Sequence, residues 1–313
     1  MTGGRFICLF VNYKNKERDL KKYISIDIGG TYIKYGLIDD EGNIIEKDEK
    51  ATQAQKGGEE ILNKVLRIIE NYTENQEIEG VAISTAGMVD RENGSIRYAS
   101  KLIPDYTGIN FKKPIKEKFG LNSSVENDVK CAGLAEYASG AGKDSKIALI
   151  LTIGTGIGGC AVINGEVYQG VSGSALEVGY MKIENGTLQS LGSAKSLVEN
   201  VAREKNESVE DWDGKKIFDL AKKSDPICIK AIDEMCQAIA IGIANISYVL
   251  NPDTVILGGG IMAQEDYLYD IIDGKLRENL AEPIYEQITL KFAQHQNSAG
   301  MLGAFYNYKN ENK

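Results

Sequence analysis

The alternation of apolar runs and glycine-rich turns divides the chain into two halves that begin with the same pattern. Residues 23–28 and 32–39 form two apolar segments joined by a Gly-Gly-Thr corner, and residues 147–153 and 157–163 form two more joined by a Gly-Thr-Gly corner. Apolar strands joined by short glycine turns are typical of β-hairpins. Hairpins at corresponding places in both halves indicate a duplicated fold with a cleft between two lobes.

Helices and further strands are predicted after each hairpin. Apolar residues recur at helical spacing over 61–69, and a second helix is expected from Asp128 to Ser139. A long helix over 226–250 is bounded by Pro226 and by Asn251-Pro252, which are common helix-end signals. Because strands and helices are mixed and the strands include meanders, the predicted class is α/β, with a mixed β-sheet and helices in each lobe.

The length of 313 residues exceeds that of a usual single domain, so two domains are expected. We place an N-terminal extension at 1–22, a smaller lobe at 23–122 and a larger lobe at 123–297. The C-terminal helix, 298–313, is expected to pack back on the smaller lobe.

Composition excludes several classes of protein. The net charge is −9 and no Lys/Arg stripe is visible, which argues against nucleic-acid binding. No apolar run approaches the roughly 20 residues that span a bilayer. The five cysteines form no C-x-x-C pair and the only histidine is His295. We therefore expect a reduced, cytoplasmic protein without structural zinc, in which Cys131 and Cys160 are small core residues.

The first hairpin corner carries candidate phosphate chemistry. Asp27 precedes Gly29, Gly30 and Thr31, and Lys34 follows in the next strand. Glycine lets backbone N–H groups approach an anion closely, and one carboxylate suffices for a Mg²⁺ ion that keeps its waters. The alternatives stay open: an ordinary hairpin for the corner, and simple solvation for the lysine.

The second corner has four glycines in the eight residues from Thr152 to Gly159, including Gly154 and Gly156 on either side of Thr155. Such a segment is costly to order and exceeds what a turn needs. It lacks the Gly-Lys-Ser/Thr of a Walker A loop and does not open a helix as a dinucleotide fingerprint does. A different class of phosphate site is therefore indicated.

Three further motifs add polar groups. Asp128 lies between a strand and a helix, either as an N-cap or as a base for a substrate hydroxyl, and Asn127 would bind a sugar or brace the turn. Glu177, in a glycine-rich segment, would clamp vicinal hydroxyls or simply face solvent. A buried strand is predicted over 254–257, and it ends in the three glycines Gly258, Gly259 and Gly260. Their backbone carries no side chains and would fit the flat face of an adenine.

In order and spacing, these motifs resemble the ROK family of sugar kinases and related repressors, in the actin-like ATPase superfamily, from residue 23 to about residue 303. The resemblance implies a two-lobed actin-like, ribonuclease H-like fold closing over ATP, Mg²⁺ and a sugar. It implies that both hairpin corners hold phosphate, that Asp27 faces Mg²⁺ through water, and that the triple glycine lies by the adenosine. It makes Asp128 the catalytic base. The implied sugar contacts are Gly87, Asn127, Asp128, Glu177 and Gln189.

The chain departs from the family pattern on the sugar side. Family kinases typically carry a histidine where this chain has Tyr180, a zinc-binding cysteine loop where residues 181–187 have no cysteine, and a glutamate where Gln189 stands. A tetrahedral zinc site cannot be assembled here. We expect packing by Tyr180, Met181 and Leu188 to replace the zinc. The family's Asn-Leu-Pro-Gly-Trp loop also differs, since residues 102–106 read Leu-Ile-Pro-Asp-Tyr.

The resemblance implies an ATP-dependent kinase for the 6-hydroxyl of a glucose-like hexose or a β-glucoside, and a homodimer. Two alternatives remain: a sugar-responsive transcriptional regulator of the same family, and a non-catalytic sugar-binding relic. A regulator needs a DNA-binding helix-turn-helix, for which residues 1–22 are too short. The retained Asp27 and Asp128 argue against a relic.

Overall fold

A computed structural model of the chain describes residues 20–99 and 103–312. Most of the predicted N-terminal extension lies outside the described residues. So does Leu102, the first residue of the loop 102–106 that departs from the family pattern, which we call the variant loop. Within these ranges, no helix combines the length and the apolar character needed to cross a membrane.

Runs of strands and runs of helices are interspersed along the described chain. The strands are β1 (Lys22–Ile28), β2 (Tyr32–Asp39), β3 (Ile44–Ala51), β4 (Gly80–Thr85), β5 (Met88–Asp90), β6 (Ser95–Tyr98), β7 (Asn122–Asn127), β8 (Ile147–Ile153), β9 (Ile157–Ile163), β10 (Glu166–Val167), β11 (Lys182–Ile183), β12 (Gly186–Thr187), β13 (Thr254–Gly258) and β14 (Thr289–Phe292). The α-helices are α1 (Gly58–Thr73), α2 (Lys112–Phe119), α3 (Asp128–Ser139), α4 (Leu188–Gly192), α5 (Ala194–Lys205), α6 (Gly214–Ala221), α7 (Pro226–Leu250), α8 (Glu265–Asn279), α9 (Glu282–Tyr285) and α10 (Ala299–Glu311).

The two large sheets share one topology, which confirms the predicted fold class. The first has the order β3-β2-β1-β4-β7 and the second β10-β9-β8-β13-β14. In each, three antiparallel strands are followed by two strands that run parallel to the third. The hairpins predicted from the glycine corners are β1–β2 and β8–β9. Ligands of α/β folds bind at the carboxyl ends of parallel strands, and the candidate residues lie there in both sheets.

Helices α3 and α10 pack between the two sheets. Helix α10 contacts α3 and strands β1, β4 and β7 of the first sheet, while α3 also contacts β8 and β9 of the second. The two helices approach so closely that a Cβ on Gly303 would lie 1.7 Å from the carbonyl oxygen of Cys131. The C-terminal helix therefore joins the first sheet to the helix that begins at Asp128. The cysteines expected in the core, Cys131 and Cys160, are buried.

Several features of the fold differ from expectation. Strand β7 pairs with β4 in the first sheet, so the predicted lobe boundary after residue 122 separates a strand from the sheet to which it belongs. The short β5–β6 hairpin and helix α8 were not predicted. The apolar residues of α8 are sparse, and only Leu268, Ile272 and Leu276 are buried, so its helical period is weak in the sequence.

Candidate active site

A cleft between the two sheets brings together most of the candidate residues. Its cavity has a volume of about 490 Å³. A second cavity of about 360 Å³ lies at the end of β13. The candidates that line the first cavity are Gly87, Asn127, Asp128, Thr152, Gly154, Thr155, Gly156, Glu177, Gln189 and Gly259. The triple glycine, Gly258 to Gly260, lines the second cavity, and Gly259 lines both. The cavity volumes are those of small-molecule sites.

Asp128 is the first residue of α3 and its carboxylate faces the cleft. Its Oδ1 accepts hydrogen bonds from the backbone N–H of Val129 at 2.9 Å and from Nδ2 of Asn127 at 3.0 Å. Burial, and then the negative charge of Asp27, raise the pKa of Asp128 to about 6. A carboxylate with such a pKa is a stronger base than an ordinary aspartate, which suits proton acceptance near neutral pH.

The helix N-cap is Asn127, so the N-cap reading of Asp128 is wrong. The Asn127 Oδ1 accepts from the backbone N–H groups of Val129 and Lys130, at 3.0 and 3.2 Å. Its Nδ2 donates to the carbonyl of Gly87 and to Asp128, both at 3.0 Å. The side chain therefore uses its full hydrogen-bonding capacity to cap α3 and brace the Gly87 turn, which was the second option offered by the sequence. It leaves Asp128 free to face the cleft.

Asp27 lies in β1 beside the N-terminus of α10. Its Oδ1 accepts a 2.7 Å hydrogen bond from Ser84 Oγ, and a Cβ on Gly300 would come within 2.3 Å of its carboxyl carbon. Burial raises the pKa of Asp27, while Ser84 and the positive charge of Lys34 oppose that rise. Among the described residues, Ser84 donates the only hydrogen bond to this carboxylate. A buried carboxylate with spare acceptor capacity fits a hydrated divalent cation.

The first corner is held by the strand next to it. Thr52 donates from its hydroxyl to the Gly29 carbonyl at 2.6 Å and from its backbone N–H to the Thr31 carbonyl at 2.8 Å. Lys34 donates to the Asn297 side chain at 3.3 Å, near the start of α10. The residues of this corner are absent from the linings of the two cavities just described: Asp27, Gly29, Gly30, Thr31 and Lys34. The negative charge of Asp27 nevertheless raises the pKa of Asp128, which follows β7 of the same sheet.

Several glycines at the corners are not required by the protein itself. A Cβ on Gly30, Gly154 or Gly260 would meet no atom within 4 Å, and none of the three has a positive φ. Neither backbone conformation nor neighbouring atoms therefore call for glycine at these positions. Bare backbone facing open space is what close approach to a phosphate requires.

The segment 180–189 is organised by apolar packing and hydrogen bonds. Strands β11 and β12 pair as a small hairpin, Ile183 and Leu188 are buried in the second core, and Met181 packs against it. Thr187 and Ser190 form a capping box at the start of α4. Tyr180 is 66% exposed, so the expectation that it packs here is wrong.

Gln189 and Glu177 face the same cavity from the second lobe. The Gln189 Oε1 would lie 2.9 Å from a Cβ on Gly156 and 2.8 Å from one on Gly179, so the amide sits against the second corner. Glu177 is exposed and follows Leu176, whose φ of 65° is strained for a bulky side chain. Such strain concentrates at ligand sites, where the surrounding structure compensates for it.

A buried polar network behind the cleft was missed by the sequence reasoning. Glu126 is 1% exposed and pairs with Arg91 at 3.1 Å and with Gln169 at 2.7 Å. Lys130 is 5% exposed and donates to Gln169 and to the Gly173 carbonyl, both at 2.5 Å. The network fixes the loop that leads to Glu177 against the helix of Asp128. The only available signal was the Glu-Asn-Asp triplet itself, because its partners are distant in the chain.

No group of three or more His, Cys, Asp or Glu side chains within residues 20–99 and 103–312 is arranged to hold a metal ion. The carboxylate of Asp27 is consistent with a cation that keeps most of its ligands as water, not with a protein-made cage.

Comparison with known proteins gives one family. The model described as the ROK family matches residues 23–311. An uncharacterized protein of Clostridium perfringens, CPE0188, is 45% identical over 91% of this chain and 96% of its own length. A beta-glucoside kinase of Listeria innocua is 31% identical over 93% of this chain and 98% of its own length. The solved structure of a ROK family glucokinase from Streptomyces griseus, in complex with glucose and AMPPNP, superposes with a TM-score of 0.76 at 27% identity, over 90% of this chain and 97% of that one.

Proposed function

The chain belongs to the ROK family, and we propose that it is an ATP-dependent sugar kinase that phosphorylates the 6-hydroxyl of a glucose-like hexose or β-glucoside. The observation that carries the proposal is Asp128, a carboxylate facing the cleft with a pKa raised to about 6. Relatives named beta-glucoside kinase and glucokinase support the reaction class. Mg²⁺ as cofactor and a homodimer are predictions that rest on the resemblance, and a cytoplasmic location is a prediction that rests on the cysteine pattern.

In the proposed reaction Asp128 orients the sugar 6-hydroxyl and accepts its proton. The hydroxyl oxygen forms a bond to the γ-phosphorus of ATP while the bond from that phosphorus to the β–γ bridging oxygen breaks, so that ADP leaves. Phosphoryl transfer depends mainly on positioning and electrostatics, and a fixed carboxylate at the start of a helix serves both needs. Asn127 holds that carboxylate and the Gly87 turn in one hydrogen-bonded unit.

The two glycine corners supply the phosphate side. Backbone at Gly30, Gly154 and Gly260 faces open space and offers close approach to the phosphate chain, and Lys34 adds a positive charge beside Asp27. Thr152 and Thr155 bring hydroxyls to the same cavity. Asp27 would hold Mg²⁺ through water, and Mg²⁺ when bound neutralises charge on the transferring phosphates.

The sugar side is assigned to the second lobe and the Gly87 turn. Glu177 and Gln189 present a carboxylate and an amide to the same cavity, and both suit sugar hydroxyls. Gln189 takes the place of a glutamate in the family pattern, and an amide keeps both donor and acceptor capacity without charge. In this proposal it contributes hydrogen bonds to a hydroxyl.

Two glycines at the end of β13 have different expected roles: Gly259 is needed by the fold, and Gly260 is expected to approach the ligand. A Cβ on Gly259 would lie 2.0 Å from the Ile153 carbonyl at a φ of 109°, whereas a Cβ on Gly260 meets nothing within 4 Å. We expect Gly259→Ala to lower the free energy of unfolding by more than about 2 kcal/mol. Gly260→Ala should keep it within about 0.5 kcal/mol but raise the KM for ATP. Urea unfolding and initial rates measure both, and a stable Gly259→Ala protein would contradict the assignment.

The function itself is tested by coupled ADP release with a panel of hexoses and β-glucosides. The proposal predicts sugar-dependent ADP release with at least one glucose-configured compound. A protein that binds these sugars without releasing ADP would favour the sugar-binding relic or the regulator. Salt-dependent DNA binding that responds to sugar would separate the regulator from the relic.

A further inference from the structure

Two exposed tyrosines line the same cleft from opposite lobes. Tyr98 ends β6 in the first half of the chain and is 57% exposed, and Tyr180 follows Glu177 in the second half and is 66% exposed. Both line the 490 Å³ cavity that contains Asp128. Among the described residues, neither ring takes part in an aromatic pair or a cation–π contact. The cavity is thus flanked by two aromatic side chains that are more than half exposed.

Their backbones are fixed to the sugar-side elements. A Cβ on Gly87 would lie 2.8 Å from the Tyr98 carbonyl oxygen, so Tyr98 lies directly against the turn that Asn127 braces. Tyr180 ends the 3₁₀-helix Val178–Tyr180, for which Glu177 is the N-cap, and its N–H donates to the Glu177 carbonyl at 3.3 Å. Glu177 and Tyr180, three residues apart at the two ends of this turn, both line the same cavity.

The side chains that line the cleft differ in exposure, from partly buried at its inner end to exposed at its opening. Asp128 is partly buried and marks where the reacting hydroxyl must lie, whereas Glu177, Tyr98 and Tyr180 are all exposed at the opening. A sugar ring held between Asp128 and Glu177 would leave the tyrosine rings free to contact whatever that sugar carries outward. The faces of sugar and aryl rings are apolar, and a tyrosine offers an apolar face with a polar hydroxyl.

We propose that Tyr98 and Tyr180 form an outer subsite for a second ring, attached at the anomeric carbon of the sugar to be phosphorylated. The preferred substrate is then a β-glucoside with a cyclic aglycone, such as a disaccharide or an aryl glucoside, and not a free hexose. A substituent at the anomeric carbon leaves the 6-hydroxyl free for Asp128. This subsite rests on the proposed kinase function and specifies its substrate class.

The experiment compares phenyl β-D-glucoside with methyl β-D-glucoside, which differ only in the outer ring. The measured quantity is the ratio of kcat/KM for the phenyl compound to that for the methyl compound. We expect Tyr98→Ala and Tyr180→Ala each to lower this ratio by about threefold to tenfold, mainly through the KM of the phenyl compound. Tyr180→Phe keeps the ring and should keep the ratio within about twofold.

Tyr248→Ala provides the matched control, because Tyr248 is 53% exposed on α7 and lies outside the cavity lining. Its ratio should equal that of the unsubstituted protein, and thermal unfolding checks that each variant is folded. Ratios unchanged in both cleft variants, with phosphorylation of either glucoside retained, would overturn the subsite alone. A ratio lowered equally in Tyr248→Ala would also overturn it. Failure to phosphorylate glucose or any glucoside would overturn the proposed function itself.

Discussion

Asp128→Asn is expected to lower kcat for sugar phosphorylation by about 10²- to 10⁴-fold, the usual contribution of a positioned general base. The substitution keeps the shape and an acceptor oxygen for the N–H of Val129 and the amide of Asn127. It removes the negative charge and, with it, the ability to take a proton. Sugar binding should therefore stay close to that of the unsubstituted protein.

The same substitution should stabilise the fold. Burial and the charge of Asp27 raise the folded-state pKa of Asp128 from 3.8 to about 6, so ionisation at neutral pH opposes folding. At 1.36 kcal/mol per pKa unit, the neutral amide can add as much as about 3 kcal/mol. Below about pH 4 the carboxyl is protonated in folded and unfolded chains alike, so the gain vanishes there. It grows between pH 4 and 6 and is complete at pH 7.

Turnover and thermal unfolding, measured at pH 4, 5, 6 and 7, check both parts of this prediction. Asp270→Asn, exposed in the middle of α8, is the matched control and should change neither quantity. Near-native kcat in Asp128→Asn would exclude Asp128 as the base. A stability gain that does not depend on pH would show that burial and the charge of Asp27 do not destabilise the ionised form of Asp128.

Asp27→Asn is expected to raise the Mg²⁺ concentration needed for half-maximal rate by about 10- to 100-fold, as removal of a group that acts on a metal through its water shell typically does. The amide keeps an oxygen for the Ser84 hydroxyl, so the strand pairing is retained. Removing the negative charge should also lower the pKa of Asp128, because the charge of Asp27 contributes to raising it.

Two measurements check the Asp27→Asn prediction. Initial rates against Mg²⁺ concentration give the first effect, and the ¹³C titration of the Asp128 carboxyl in the protein without Mg-ATP gives the second. In the unsubstituted protein that carboxyl should titrate near pH 6, and in the variant at lower pH. Unchanged Mg²⁺ dependence would remove Asp27 from the metal site, and an unchanged titration would show that the two carboxylates are not coupled.

The sequence was informative where local pattern determines structure. The glycine corners marked both hairpins, and Pro226 with Asn251 marked α7 to the residue. The resemblance to the ROK family was confirmed by the family model. The duplication was visible in outline because each half begins with a hairpin that has a glycine-rich corner.

Contacts between residues that are far apart in the sequence could not be predicted from local sequence patterns. Strand β7 was assigned to the wrong lobe because a short strand carries no sign of its partner, which here is β4. Asp128 was weighed as a cap because Asp and Asn cap equally well, and only the backbone showed that Asn127 takes that place. The partners of Glu126, Arg91 and Gln169, come from separate loops, so their pairing could not be inferred from spacing.

The variant loop shows the same limit. Tyr106, in the 102–106 loop that departs from the family pattern, is 1% exposed, and its hydroxyl lies 2.5 Å from that of Thr85. An aromatic residue beside proline and aspartate suits either a core or a surface loop. Its burial depends on the cavity that the first sheet and its helices leave, which is a property of the assembled lobe.

The central claim is that Asp128 activates a sugar 6-hydroxyl toward ATP. It is tested most directly by ³¹P and ¹³C NMR of the products formed from Mg-ATP and methyl β-D-glucoside. The account predicts a phosphate ester on carbon 6 in equal amount to ADP, and essentially none with Asp128→Asn. Ester at another carbon, ADP without any sugar ester, or equal ester formation by the variant would contradict it.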